Sequence, residues 1–244
     1  MDSTTHVAVS LATAMRRAVD VTANNIANAG TAGFKAERVA LAVSAAPAAR
    51  GGSEFAFDAG SYVDTRQGAL MRTGNPLDVA LTGPGWLAFA APDGRVGYGR
   101  GGELALDAEG NLVNTSGARI LDAGGAPIAL PPDAGPVEIA PDGTISSADG
   151  GPLARIGLFD IPEPDALERI GAGLLAAPAG AADGARPAEG TTLAQGMIEG
   201  SNVEPVLEMV GLMEMQRAYE RAVQMIRTHD ELARDAVRRA GRTG

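Results

Sequence analysis

The side chains best placed for chemistry in this sequence are a glycine-rich turn, scattered acids and two histidines. Gly83-Pro84-Gly85-Trp86-Leu87-Ala88 follows a strand-like run at 77–81, and the acids Glu103 and Asp107 come about twenty residues later, as in a dinucleotide fingerprint. That chemistry needs a helix to open in the loop, so that its free N–H groups face the pyrophosphate. Pro92-Asp93-Gly94 ends the segment too soon, so a turn between strands is expected. Asp93, Asp107, Glu109, Asp142 and Asp149 could be calcium ligands or an acid/base pair, but none has D-x-[DN]-x-[DN]-G spacing. They stand in Gly- or Pro-bearing turns, where Asp accepts from nearby backbone N–H groups. Nucleophilic catalysis fares no better. Cysteine is absent, no G-x-S-x-G or GK[ST] loop occurs, and a triad would have to recruit His6 or His229 from opposite ends of the chain. The expectation is no enzyme, with no catalytic, cofactor-binding or metal residues.

Composition narrows the partners. Aromatics make up 4% of the 244 residues, too few for a base-stacking surface, and the net charge of −10 disfavours nucleic acid and anionic membrane. One Trp and three Tyr give little with which to line a small-molecule pocket. The first 50 and last 28 residues each carry more basic than acidic groups, whereas the middle holds the whole acidic surplus. This pattern suggests ends that belong together around an inserted module. No basic leader and no apolar run of about 18–20 residues is readable, so the expectation is a cytosolic protein or one exported without a cleavable signal.

Those residues depend on elements the pattern makes legible. Val7, Leu11, Ala14, Ala18 and Val21 follow helical spacing, and Asn28-Ala29-Gly30 supplies the stop. Asn24, Asn25 and Asn28 either cap that helix or fix its register against a neighbour. At the other end, Ser201-Asn202-Val203-Glu204 offers cap residues before Pro205. From there Leu212, Met215, Tyr219, Ala222, Ile226 and His229 form a heptad seam, widened by Met209, Met213 and Met225 as adaptable packing. A helix from 203 to about 238 would span roughly 54 Å. In the middle the period drops to two, as in Leu77, Val79 and Leu81, with Asp/Gly/Pro turns between short runs. The predicted class is α+β, with paired long N- and C-terminal helices, coiled-coil-like, around an inserted antiparallel all-β domain. Residues 1–34 and 200–244 would form the helices, 35–74 and 181–199 extended connectors, and 75–180 an outer β domain.

Three stretches carry a resemblance. Asn24-Asn25-Ile26-Ala27-Asn28 with Thr31-Ala32-Gly33-Phe34-Lys35 resembles the N-terminal motif of flagellar rod and hook proteins. Gly68-Ala69-Leu70 and Thr73-Gly74-Asn75-Pro76-Leu77-Asp78-Val79-Ala80-Leu81 resemble the segment leading into their β domain. Gly200-Ser201-Asn202-Val203 and Met215-Gln216-Arg217-Ala218-Tyr219-Glu220 resemble their C-terminal motif. The stretches occur in family order and span nearly the whole chain. Within the family, Ile139-Ala140-Pro141-Asp142-Gly143-Thr144-Ile145 and Gly157-Leu158-Phe159 look most like proximal rod members, with distal rod or hook-type axial proteins as alternatives. Trp86-Leu87-Ala88-Phe89 departs from the two adjacent aromatics usual there.

The resemblance implies a structural subunit of the bacterial flagellar basal-body rod. It would be exported by the flagellar export apparatus without a cleavable signal peptide, would stand in the periplasm, and would polymerise through its terminal helices with other rod subunits to transmit torque. The expected assembly interface is Leu11, Ala18, Val21, Asn24, Asn25, Asn28, Gly33, Phe34, Asn202, Val203, Met209, Leu212, Met213, Met215, Gln216, Arg217, Tyr219 and Ile226. The competing class is a cytosolic β-domain binding module dimerised by a coiled coil.

Overall fold

Helical periodicity at the two ends and a two-residue period between them shape the elements of the chain. The computed structural model describes residues 3–45, 54–91, 93–132, 134–147, 151–178 and 184–240. The chain divides into two units: Met1–Ala27, Glu37–Tyr62 and Glu204–Gly244 in the first, Asn28–Ala36 and Val63–Val203 in the second.

The first unit holds helix α1 (Ser3–Ala27), strands β1 (Glu37–Ala45) and β2 (Glu54–Val63), which pair as a two-stranded sheet, and helix α2 (Pro205–Ala240). Pro205 can open α2 because the first helical N–H has no intrahelical acceptor to lose. Asn25, buried on α1, donates from Nδ2 to the Glu37 carbonyl (2.9 Å) and accepts the Glu37 N–H at Oδ1 (3.0 Å), so its amide clamps the start of β1 to the helix. Arg38 on β1 donates to buried Glu208 on α2.

The expected fold class needs correction here. Among the described residues strands outweigh helix, and one long helix stands at each end, rather than paired coiled-coil helices on which an α+β protein is built. The helices touch, but no coiled-coil seam closes between them. Knobs-into-holes packing needs large apolar side chains from both helices. Among the described residues the buried positions of α1 are Ala14, Ala18, Thr22 and Asn25, which are small or polar, and Tyr219 on the seam of α2 stays exposed.

The second unit is antiparallel throughout. Its largest sheet runs in the order β14 (Glu168–Gly171), β15 (Leu174–Ala176), β6 (Val96–Gly99), β5 (Trp86–Ala90), β9 (Arg119–Ile120), β8 (Leu112–Asn114) and β7 (Leu104–Leu106). Strand β13 (Leu158–Asp160) joins β5 and also pairs β16 (Arg186–Pro187). A second sheet contains β10 (Val137–Ile139), β11 (Thr144–Ser147) and β12 (Pro152–Arg155). Late strands return to early ones: β17 (Thr192–Gln195) pairs β4 (Val79–Thr82), and β18 (Met197–Glu199) pairs β3 (Leu70–Arg72).

Strand β5 shows why this unit is well packed. Successive side chains of a strand point to opposite faces. Leu87 and Phe89 enter one apolar cluster with Leu81, Leu112, Ile145 and Leu193, while Trp86 and Ala88 enter another with Tyr98, Ile161 and Leu175. The turns use Asp as their positions demand. Asp107 accepts N–H bonds from Glu109 (3.0 Å) and Asn111 (2.7 Å), and Asp142 accepts from the Thr144 N–H (3.1 Å) and hydroxyl (2.9 Å).

Candidate functional site

Two features stand out, one in each unit: a buried charged clasp and an exposed apolar helix face. The clasp lies in the second unit. Glu199, the last residue of β18, is fully buried, as are Lys35 and Arg100. Its Oε1 accepts from Lys35 Nζ (2.6 Å) and the Gly68 N–H (2.9 Å), and its Oε2 accepts from Arg100 Nε (2.7 Å). Lys35 Nζ also donates to the Arg66 carbonyl (2.6 Å), and Arg100 donates to the carbonyls of Gly83 (2.9 Å) and Gly85. All charged groups of the clasp therefore have partners, which is what makes burial of such charges tolerable. Burial pushes the Lys35 ammonium below its ordinary pKa, against the pull of Glu199.

Backbone bonds extend the clasp. The Gly33 N–H donates to the Glu199 carbonyl (2.7 Å), and Gly33 holds φ +68° where a Cβ would overlap the backbone of Arg100 and Gly101. Asn202 Oδ1 accepts the Ala36 N–H (2.7 Å), and its Nδ2 donates to the carbonyls of Asp64 (2.7 Å) and Arg66 (3.0 Å). Phe34, Ala36 and Val203 form a small apolar cluster beside it, and the Arg169 guanidinium lies 4.6 Å from the Phe34 ring centroid. Segments 33–36, 64–68 and 199–203 thus meet around one carboxylate. They contain or adjoin all three sequence motifs that suggested the family.

The second feature is α2 itself. At about 100° per residue, Leu212, Met215, Ala218 and Ala222 share one side with Glu208, and these positions are half-buried or buried. On the opposite side, Val206, Met209, Val210 and Met213 form a short stripe that is exposed, with Val206 at 72%. Farther along that side the residues turn polar, as Arg217, Glu220, Gln224 and Arg227. Leu207 is also exposed, between the two sides. A helix apolar on two opposite sides has one face with no covering in the isolated chain.

The expected interface residues divide between these features. Gly33, Phe34, Asn202 and Val203 belong to the clasp region, where Gly33, Phe34 and Val203 are buried; Asn28 lies nearby in sequence, its carbonyl accepting the Thr31 N–H (3.0 Å). Asn202, expected among the helix caps, instead ties three segments together. In the first unit Ala18 and Asn25 are buried, Val21, Leu212 and Met215 half-buried, and Asn24, Met209, Met213, Gln216, Arg217 and Tyr219 exposed. The side chains of Leu11, Ile226 and His229 lie outside the described residues.

Sequence reading missed Arg100 and Glu199 altogether, and included Lys35 only as part of a motif. The one local hint was a charge set among small and apolar neighbours, as in Phe34-Lys35-Ala36 and Ile198-Glu199-Gly200.

Gly83-Pro84-Gly85 is a turn between β4 and β5 whose carbonyls hold Arg100, and no helix opens from it. Among the described residues no group of three or more His, Asp or Glu could hold a metal ion, and no helix is long and apolar enough to cross a membrane. A cavity of about 320 Å³ in the second unit is lined by Pro141, Asp142, Arg155, Ile156 and Thr191; its acid and base lie exposed and 3.8 Å apart, and the hydroxyl of buried Thr191 already accepts the Gly85 N–H (2.9 Å).

Three family models match the chain. Residues 6–35 match the family described as flagella basal body rod protein, 80–147 the flagellar hook protein FlgE/F/G D1 domain, and 194–239 the flagellar basal body rod FlgEFG protein C-terminal family. The flagellar basal-body rod protein FlgF of Caulobacter vibrioides is 36% identical, with 99% of each chain covered. FlgF of Mesorhizobium japonicum is 34% identical over 99% of each. The flagellar basal-body rod protein FlgG of Bacillus subtilis is 32% identical, covering 90% of this chain and 92% of its own.

Proposed function

Since this chain belongs to the flagellar basal-body rod protein family, most like FlgF, and is a structural subunit of the basal body, we propose that it assembles into the rod through the outer face of α2. It occupies the proximal rod position and meets other rod subunits there, with the distal rod as the alternative position. The observation that carries the interface assignment is the exposed stripe Val206, Met209, Val210 and Met213 opposite the buried side of the same helix. Contiguous exposed apolar surface on a folded chain marks an association surface.

The division of labour follows from the two features. The clasp holds together, within the second unit, the chain segments that follow α1 and precede α2. The outer stripe then supplies contact area to a neighbour, and many such contacts in a polymer resist twist where a single site would not. Arrival through the flagellar export apparatus, and a final place in the periplasm, accord with this role.

The test is a paired aspartate substitution, Val206→Asp with Val210→Asp. Both positions are exposed, so the isolated chain should fold normally, and an acid in the first helical turn suits the helix dipole. Swimming and recovery of the subunit in purified basal bodies should be lost. A variant that is recovered in basal bodies at the wild-type level would refute the interface.

A further inference from the structure

The outer stripe of α2 contains two thioethers in addition to its valines, and the chain has no cysteine. Thioethers are therefore its softest nucleophiles. Met209 and Met213 sit one helical turn apart and are about half exposed, at 51% and 49%. Met71 (48%) and Met225 (55%) are as exposed but lie off the stripe, whereas Met15, Met197 and Met215 are more covered. Resting on the interface reading above, we propose that Met209 and Met213 form an oxidation-sensitive site at which peroxide switches the subunit from assembly-competent to assembly-incompetent.

The reaction is balanced and needs only a peroxide. Its terminal oxygen transfers to the thioether sulfur, forming an S–O bond as the O–O bond breaks. The sulfur loses two electrons and becomes a sulfoxide, and hydrogen peroxide is reduced to water. The product is a strong hydrogen-bond acceptor on a side chain that must then be buried against a neighbour. Val206 and Val210, which flank the two methionines, have no side-chain donor to satisfy it. Burying an unsatisfied acceptor opposes association. Once the face is covered in the polymer the sulfurs are shielded, so the switch acts on subunits before incorporation.

Two arms test this. In the first, the purified full chain is exposed to hydrogen peroxide and oxygen uptake is mapped by peptide mass spectrometry. Met209 and Met213 should oxidise roughly fivefold or more faster than Met15 and Met197, following exposure; equal rates would overturn the proposal. In the second, strains carrying only wild type, Met209→Leu/Met213→Leu or Met209→Gln/Met213→Gln express the subunit during a sublethal peroxide pulse, and swimming cells are counted. Met71→Leu serves as control, because Met71 is exposed but lies on β3.

Counted relative to each strain's own swimming without peroxide, the leucine pair should keep its motile cells through the pulse, whereas wild type and Met71→Leu should lose several-fold more. The glutamine pair, which places a polar amide on the same face, should fail even without peroxide. If the leucine pair loses the same fraction of its motile cells through the pulse as wild type, the switch is refuted and the interface reading stands on its own aspartate test. If both the glutamine pair and the Val206→Asp/Val210→Asp chain build rods normally, the interface reading itself falls and the switch falls with it.

Discussion

Large apolar side chains are treated in opposite ways by the two units. In the second, Leu81, Leu87, Phe89, Leu112 and Ile120 are completely buried, and the charged clasp is satisfied from within the unit. In the first, the buried positions of α1 among the described residues are alanines, a threonine and an asparagine, while Val206, Leu207, Met209, Val210 and Met213 are exposed on α2. The second unit has what it needs to be stable alone. The first leaves a run of apolar side chains on α2 exposed. Among the described residues, side-chain size and burial separate the two units more than helix or strand content does.

The sharpest way to break that contrast is to unbalance the clasp. Glu199→Gln leaves two buried cations facing each other without their carboxylate, and should lower stability by about 3–5 kcal/mol in a denaturant titration. Lys35→Met removes one cation and leaves Arg100 paired with Glu199, so its loss should be clearly smaller, about 1–2 kcal/mol. Equal losses would show that the three charges do not act as one group.

Packing supplies the next comparison. Phe89→Ala should cost about 3–5 kcal/mol, whereas Met213→Ala on the exposed stripe should stay within about 0.5 kcal/mol of wild type in the same titration. If the two losses matched, the outer stripe would have to be buried after all. Gly33→Ala sharpens the picture at the joint. It forces a side chain into a positive φ and into the Arg100–Gly101 backbone, so a loss of more than about 1 kcal/mol is expected.

The smallest effect is a pH dependence. Hydrogen bonds from the Arg95 backbone N–H to Asp93, from the Asn111 side chain to Asp107, and from the Thr144 backbone N–H to Asp142 hold these carboxyls below the usual 3.8. A depressed carboxyl stabilises the fold above its unfolded pKa, and that contribution is lost as pH falls from about 3.8 through the lower folded value. Thermal melts between pH 5 and pH 2.5 should show a decline that is shallower in the triple variant Asp93→Asn/Asp107→Asn/Asp142→Asn. Identical slopes would mean the turn aspartates contribute no pH-dependent stability.

Much of this was readable from residue order alone, because it depends on neighbours only a few positions away. The spacing of Ala14, Ala18 and Val21, the stop after Asn28, and Pro205 at the start of α2 depend on local geometry alone. Asp107 and Asp142 reach partners two to four residues on, so their turn roles needed no tertiary knowledge. The short apolar run at 86–90 announced a strand, although not which clusters its two faces would join.

Tertiary structure decided what joins across distance. Lys35 and Glu199 are 164 positions apart and Arg100 and Glu199 are 99 apart, and isolated charges leave no periodic trace from which such pairing could be inferred. The heptad pattern of α2 marked an apolar side as a pattern, but a coiled coil also requires large knobs on the partner, and among the described residues the buried apolar positions of α1 are alanines. Likewise, Met209 and Val206 look like a widened seam in one dimension. Only the folded chain shows that one apolar side of α2 is covered and the other left open, because burial is set by what the rest of the chain brings to each face.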